Sequence, residues 1–501
     1  MNKILLDVII VGGGSAGAVL ASRLSENKTR NVALIEAGPA PSSYKYPQIL
    51  SNSNIVGAHL NPHHEWGFKT ESGYIKNSIN AIRGKGLGGS SAINGAVAIR
   101  ARPEDFKRWN LKGWSYDDLL PFFKKLEHRH TTQFNHKLHG NNGPFHIVQL
   151  EREDASDMQK AFIDATLKNG FKEIQDFDGE DAHGVGAYPM NIINNVRLNT
   201  GMVYLTDEIR SRENLTILDN QLVDCLIFEG TTTKGIRLAN GEKLYAKEVI
   251  LSAGAYGSAA ILLRSGIGPK HSSEKLGIPV IADLPVGENL IDHPFYYNSY
   301  AADPAKIGIQ TPVIGAKLWT KSSNSENNEL DLHITATHLF PHEFSPTKVG
   351  FVLAVALTRP QSRGRMWIES TDPTVAPKID LNFLATETDK TRLIEGIKLA
   401  RKIAQTAPLS DLIHSELAPK SDDDEIILQS IQETLDTYHH PVSTAPMGEK
   451  NDPKAVVDLK AQVYGVTGLK VVDASIMPDV PSVATNVTTL AIAEYISHLY
   501  Q

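Results

Sequence analysis

Gly12, Gly14 and Gly17 stand in a G-x-G-x-x-G spacing directly after the short apolar run Asp7 to Val11. Each glycine has a physical use: the first permits a tight turn, the second lets a pyrophosphate approach the backbone, and the third lets a helix pack on a strand. Ser15 and Ala16, inside the same turn, belong to the expected binding loop. Glu36 ends the next apolar run, 19 residues after Gly17, where a carboxylate can accept hydrogen bonds from ribose hydroxyls. The chemistry these residues can do is to hold an adenosine dinucleotide that lacks a 2′-phosphate. NAD and FAD both satisfy the motif. It occurs once, which argues against a flavin and a nicotinamide bound together.

The stretch Arg83 to Ser91 (RGKGLGGSS) holds four glycines beside two serines, so its backbone N–H groups are unobstructed toward a phosphate or a flavin edge. Proton transfer needs a different residue type. A neutral imidazole suits removal of a hydroxyl proton because its pKa lies near working pH, but the chain has 18 histidines, most of them expected to pack or face solvent. Asn486 follows a loop and precedes the helical stretch Val487 to His498, so it reads as an N-cap. The histidines between His128 and His139 read as a surface or lid loop, and His63 and His64 as loop residues. No metal site is expected.

To position these residues the chain needs a strand, turn, helix, strand unit, met by Asp7 to Val11, the glycines, Ala18 to Leu24 and Val32 to Ile35. A second strand, Lys247 to Ser252 (KEVILS), runs through a small-residue turn into the helical stretch Ala259 to Arg264, and Leu469 to Asp473 is its mate near the C-terminus. One nucleotide-binding lobe is therefore expected from three separated segments, 1–153, 196–297 and 420–501. Between them, Leu330 to Thr337 (LDLHITAT) and Arg365 to Glu369 alternate polar and apolar residues, as strands with one covered face do, and Phe351 to Leu357 reads as a buried strand. Segments 154–195 and 298–419 are expected to form the second lobe. Lys321 to Asn328 reads as a loop, and Asp422 to Glu425 as the first turn of a helix, where acids suit the dipole.

The 501 residues allow two lobes, and 41% hydrophobic with 21% charged residues describes a globular chain. A net charge of −7 without a basic block argues against nucleic acid as a partner. Cys225 is the single cysteine, so the chain can form no internal disulfide and no thiolate cluster. Glycines interrupt the first apolar run, which reads as a cofactor loop and not as a secretory leader, and no stretch reaches 18 uninterrupted apolar residues. A cytoplasmic protein with no transmembrane segment is expected.

Five ordered segments resemble signatures of the glucose-methanol-choline (GMC) oxidoreductases: Arg83 to Asn94 (RGKGLGGSSAIN), Ser252 to Gly268 (SAGAYGSAAILLRSGIG), Gly287 to Pro294 (GENLIDHP), Tyr438 to Gly448 (YHHPVSTAPMG) and Val471 to Pro478 (VVDASIMP). The resemblance runs from residue 4 to residue 498 and matches the choline dehydrogenase, aryl-alcohol oxidase and hydroxymethylfurfural oxidase branches about equally. It implies FAD, and with it an α/β fold, a Rossmann-like FAD-binding lobe joined to an α+β substrate-binding lobe on an antiparallel sheet. By similarity, Arg83, Gly88, Gly89, Asn94 and Val97 line the pyrophosphate and flavin, Val223 the adenine, and Asp473 with Ala474 the ribityl chain. Trp66 is expected to approach the flavin.

The same resemblance makes His440, before Pro441, the catalytic base, and Asn486 the second catalytic-site residue, with Val487 beside it at the cofactor. The implied reaction is oxidation of a small-molecule primary alcohol to an aldehyde by hydride transfer to flavin N5, with oxygen or a quinone as electron acceptor. A non-redox FAD-containing lyase on the same scaffold is the alternative. Ser443 stands where the family usually has glycine, Pro446 where it often has arginine or lysine, and His439 where an aromatic residue is common. Ile93 occupies the position from which some relatives bind flavin covalently through histidine, so FAD is expected to be noncovalent.

Overall fold

The structure, a computed structural model, describes residues 6–131 and 134–500. Its first sheet is built around β1 (Leu6–Val11), which pairs in parallel with β2 (Val32–Ile35) on one side and with the C-terminal half of the strand Lys243–Leu251 on the other. Leu215–Leu218 extends the parallel order beyond β2, and Leu469–Val471 pairs with Val249 to Leu251. Pairing partners thus come from the start, middle and end of the chain. Val8 to Val11 and all of β2 are buried, as expected for parallel strands covered on both faces. The N-terminal part of Lys243–Leu251 instead pairs antiparallel with Thr232–Leu238, which pairs with Val223–Glu229.

Helix α1 (Ser15–Leu24) follows the glycine turn and packs against the C-terminal helix Asn486–His498. Their N-termini meet at one place, where Ser15 Oγ donates to Asn486 Oδ1 over 2.7 Å.

The second large sheet is antiparallel, in the order Ile413–Ala418, Pro294–Ala302, Gly350–Leu357, Leu332–Thr337, Ile314–Thr320 and Gly184–Ala187, with Asp436–Thr437 beside Pro294 and Phe295. Helices Asp157–Lys168 and Glu387–Ala404 pack on it. The alternating segment Leu330 to Thr337 departs from expectation, because Leu332–Thr337 is buried throughout and not on one face alone. Its polar residues His333, Thr335 and Thr337 face an internal cavity where the pattern suggested solvent. Arg365–Trp367 also departs: it forms a separate two-stranded ribbon with Lys378–Asp380. Phe351 to Leu357 is the expected buried strand, and Asp423 caps the helix Asp424–Thr434.

The histidine-rich stretch is corrected in part, since only His136 lies exposed in a turn as expected. His128 and His130 lie on the strand Glu127–His130, and His139 is 3% exposed, its ring bonded to Glu127 and Asp176 at 2.8 Å each. Arg100 and Arg129 supply the compensating charge for Glu127, Asp176 and Asp178, so the group is a buried ion-pair network and not a lid. Among the described residues no helix is long and apolar enough to cross a membrane.

Candidate active site

Between the two sheets lies a cavity of about 720 Å³. One end is formed by the glycine turn. Gly12 adopts φ +97°, a conformation that favours glycine, and a Cβ on Gly17 would sit 1.8 Å from the Gly12 carbonyl oxygen. The loop Arg83 to Asn94 is stitched to this turn, with Gly88 N–H donating to the Gly13 carbonyl at 2.8 Å. A Cβ on Gly89 would stand 2.7 Å from the Gly14 Cα, so this approach requires glycine at 89.

Of the residues expected at the site, Gly12, Gly14, Ser15, Ala16, Glu36, Arg83, Gly89, Asn94, Val97, Val223, Asp473, Ala474, His440 and Asn486 all line this cavity. Gly17, Gly88 and Val487 do not border it. Gly17 and Gly88 serve close packing, the latter at φ +98° with Asn199 Oδ1 where its Cβ would be, and Val487 is buried in the C-terminal helix. Trp66 lines the cavity as expected and stacks on Phe68.

The acids are more committed to the protein than the sequence suggests. Glu36 accepts from Gly13 N–H through Oε2 and from Gly38 and Gly86 N–H through Oε1. Burial pushes its pKa up, and these three donors pull it back. Asp473 accepts from Gly254 N–H, Ser258 Oγ and Ser475 N–H and Oγ, which ties the helix Gly254–Arg264 to the C-terminal strand.

At the opposite end, His440 is held from three sides. Its backbone N–H donates to Asp292 Oδ1 at 2.8 Å, its Nδ1 lies 3.0 Å from His293 Nδ1, and the ring packs against Tyr438. Among the described residues no hydrogen-bond partner is found for Nε2, and His440 lines the cavity. Burial, followed by the neighbouring His293 and Arg83, drives the His440 pKa well below the ordinary 6.5, so the ring is neutral and able to accept a proton. Asp292 also receives His293 N–H and Thr437 Oγ, and burial raises it to about 6. His439 adopts φ +63°; its carbonyl accepts from Arg83 Nη2 at 2.7 Å and its buried Nδ1 has no partner. Ser443, in the place of a glycine, takes φ +70° and bonds to Asn289 and the Pro478 carbonyl.

Asn486 is not the N-cap. Thr485 holds that position and Asn486 is the first helical residue, because its side chain turns to Ser15 instead of back to its own helix. Its buried Nδ2 is left without a partner. Neither α1 nor the C-terminal helix has a side-chain cap or an acid in its first turn, so both N-termini offer the cavity unsatisfied N–H groups. Unpartnered donors, a cradle that any Cβ would fill and a cavity running from Glu36 to His440 fit a bound FAD. Asp292, Tyr438, His333, Thr335 and Tyr188 belong to the site and were not singled out by sequence. Asp292 sits inside the GENLIDHP segment and Tyr438 opens the YHHPVSTAPMG segment, the two available signals; His333 and Thr335 were hidden in the strand Leu332–Thr337, and Tyr188 between two short strands.

Comparison with known proteins agrees with this geometry. The family description "GMC oxidoreductase" matches residues 6–295 in its N-terminal part and 360–493 in its C-terminal part. The oxygen-dependent choline dehydrogenase of Photobacterium profundum is 33% identical, over 97% of this chain and 91% of that protein. The crystal structure of pyridoxine 4-oxidase from "Mesorbium loti" superposes with a TM-score of 0.91 at 30% identity, covering 99% of each chain. A fungal aryl-alcohol oxidase shares the fold, with a TM-score of 0.83 at 22% identity over 99% of both chains.

Proposed function

Because this chain belongs to the GMC oxidoreductase family and is an FAD-dependent oxidoreductase acting on alcohols, we propose that it oxidises a primary alcohol to an aldehyde with His440 as general base. The observation that carries this reading is the posture of His440, which lines the cavity with its backbone and Nδ1 both tied down and, among the described residues, no partner for Nε2. A hydroxyl placed against Nε2 loses its proton to that nitrogen as the α C–H bond breaks. Bound FAD supplies the hydride acceptor, N5 of its ring. Gly12, Gly14, Ser15 and Gly89 would hold its pyrophosphate, Glu36 its ribose and Val223 its adenine, with Asn94, Val97, Ala474 and Asn486 toward the ring. Asn486 Nδ2, a donor without a partner, is placed to stabilise developing negative charge.

Oxygen or a quinone is the proposed electron acceptor. The test is anaerobic mixing of the FAD-bound protein with a panel of primary alcohols. Loss of the flavin's visible absorbance, one aldehyde formed per flavin and slowing by α-deuteration are expected. Alcohol consumed with the flavin still oxidised would instead indicate a lyase.

A further inference from the structure

Lys317 is fully buried on the strand Ile314–Thr320, and among the described residues no carboxylate lies within ion-pair distance of it. Its Nζ sits 4.0 Å from the Trp319 ring centre and 4.6 Å from that of Phe177, and 3.3 Å from His333 Nε2. Asp178 acts on this amine only from beyond contact, with Arg102 opposing it, so burying the lysine is costly where a methionine would fill the same apolar box without that cost. Burial pushes its pKa well below 10.5, whereas the ring faces favour the charged form. His333 connects this amine to the cavity, which its side chain lines together with Thr335 on the same face of the strand. The Lys317 amine can donate to His333 Nε2 in either charge state, and that bond puts the ring proton on Nδ1, for which no partner is found among the described residues. Next to it, the hydroxyls of Tyr188 and Thr335 lie 2.7 Å apart, with the Tyr438 hydroxyl 3.3 Å from Thr335.

We propose that Lys317 and His333 form the specificity end of the substrate cavity, where His333 Nδ1–H receives a hydrogen-bond-accepting group of the alcohol, such as a carboxylate. This rests on the alcohol-oxidation reading above and names its substrate class. Asp436, the one carboxylate found at this end among the described residues, is already engaged by the Tyr297 hydroxyl and the Thr437 N–H. Burial moreover raises its pKa, which leaves it a weak site for a quaternary ammonium.

The test compares benzyl alcohol, the meta and para hydroxymethylbenzoates and choline as reductants of the flavin under anaerobic conditions. It also titrates the oxidised holoenzyme with benzoate by calorimetry. The better hydroxymethylbenzoate should exceed benzyl alcohol in kcat/KM by tenfold or more, mainly through KM, and Lys317→Met should cut that ratio by about 10- to 100-fold while benzyl alcohol turnover changes little. Benzoate should bind the wild type at least tenfold more tightly than Lys317→Met. If Lys317→Met does not accumulate with FAD bound, His333→Leu is compared on the ratio and on benzoate affinity alone, and His333→Gln, which keeps a donor, should restore part of the ratio. An unchanged ratio in the variants, equal losses on every alcohol, benzoate affinity unaffected by either substitution, or choline as the best reductant would overturn the proposal. If no alcohol reduces the flavin, the alcohol-oxidation reading fails, and the benzoate titration still decides whether this end of the cavity receives an acceptor.

Discussion

His440 is useful because its neighbours absorb its other options. Asp292 fixes the backbone on either side of the contact by accepting from both His293 and His440 N–H, and His293 occupies Nδ1, so proton uptake is confined to Nε2. Replacing Asp292 with alanine leaves two buried N–H groups and the Thr437 hydroxyl unpaired, at about 1–3 kcal/mol each. Flavin reduction in Asp292→Ala should therefore slow by about 10- to 100-fold, with KM changed less than kcat; stopped-flow absorbance of the FAD-bound variant checks this. The pH profile carries a sign as well. Burial lowers the His440 pKa, so the neutral, proton-accepting form persists as pH falls through 6.5 and is lost only well below it. The rate of flavin reduction should thus stay level between pH 8 and pH 6.5, with its acid limb well below that range. A fall centred at 6.5 or above would contradict a buried base. His440 was legible because it precedes Pro441 in a segment resembling a known signature. Asp292 was not, since an acid in a loop says nothing about which backbone N–H groups the fold will bring to it.

The elements that carry the cofactor are joined by small contacts that tolerate little change. Gly17→Val would drive a side chain into the Gly12 carbonyl and separate α1 from β1, a loss on the order of 3 kcal/mol. Purified protein should be scarce and depleted of FAD, read as the ratio of flavin to protein absorbance. Glu36→Ala removes an acceptor shared by three loops, from Gly13, Gly38 and Gly86. FAD retention should weaken at least tenfold, while the holoenzyme that remains reduces its flavin at a rate near wild type. The strand, turn, helix, strand unit could be read because its apolar runs and glycine spacing are local. The strand Leu332–Thr337 was misread as half-exposed, since a face that lines an internal cavity and a face that meets water need the same polar residues at alternate positions. Asn486 was misread as a cap because any asparagine before a helix satisfies that pattern; only the approach of Ser15 from the other end of the chain turns its side chain away.

At the scale of the molecule, the cavity lies between two sheets that each draw strands from distant segments, and local pattern cannot say which residues meet across it. FAD placed there would fill part of the cavity of about 720 Å³, so its binding energy adds to stability. Free FAD at about 100 times its dissociation constant should stabilise the protein by about 2.7 kcal/mol, seen as a concentration-dependent rise in melting temperature. The cofactor should also leave intact on heat precipitation: Ile93 offers no nucleophile, and Cys225 lies on the strand Val223–Glu229, whose Val223 is the proposed adenine contact. Colour retained by the washed pellet would reveal a covalent bond. The central claim, that His440 takes the hydroxyl proton while the alcohol reduces FAD, is tested most directly by anaerobic stopped-flow mixing of wild-type and His440→Ala holoenzymes with the same alcohol. The predicted result is rapid bleaching of wild-type flavin and a rate about 10²- to 10⁴-fold lower in the variant at equal FAD content. Equal rates in the two proteins would contradict it.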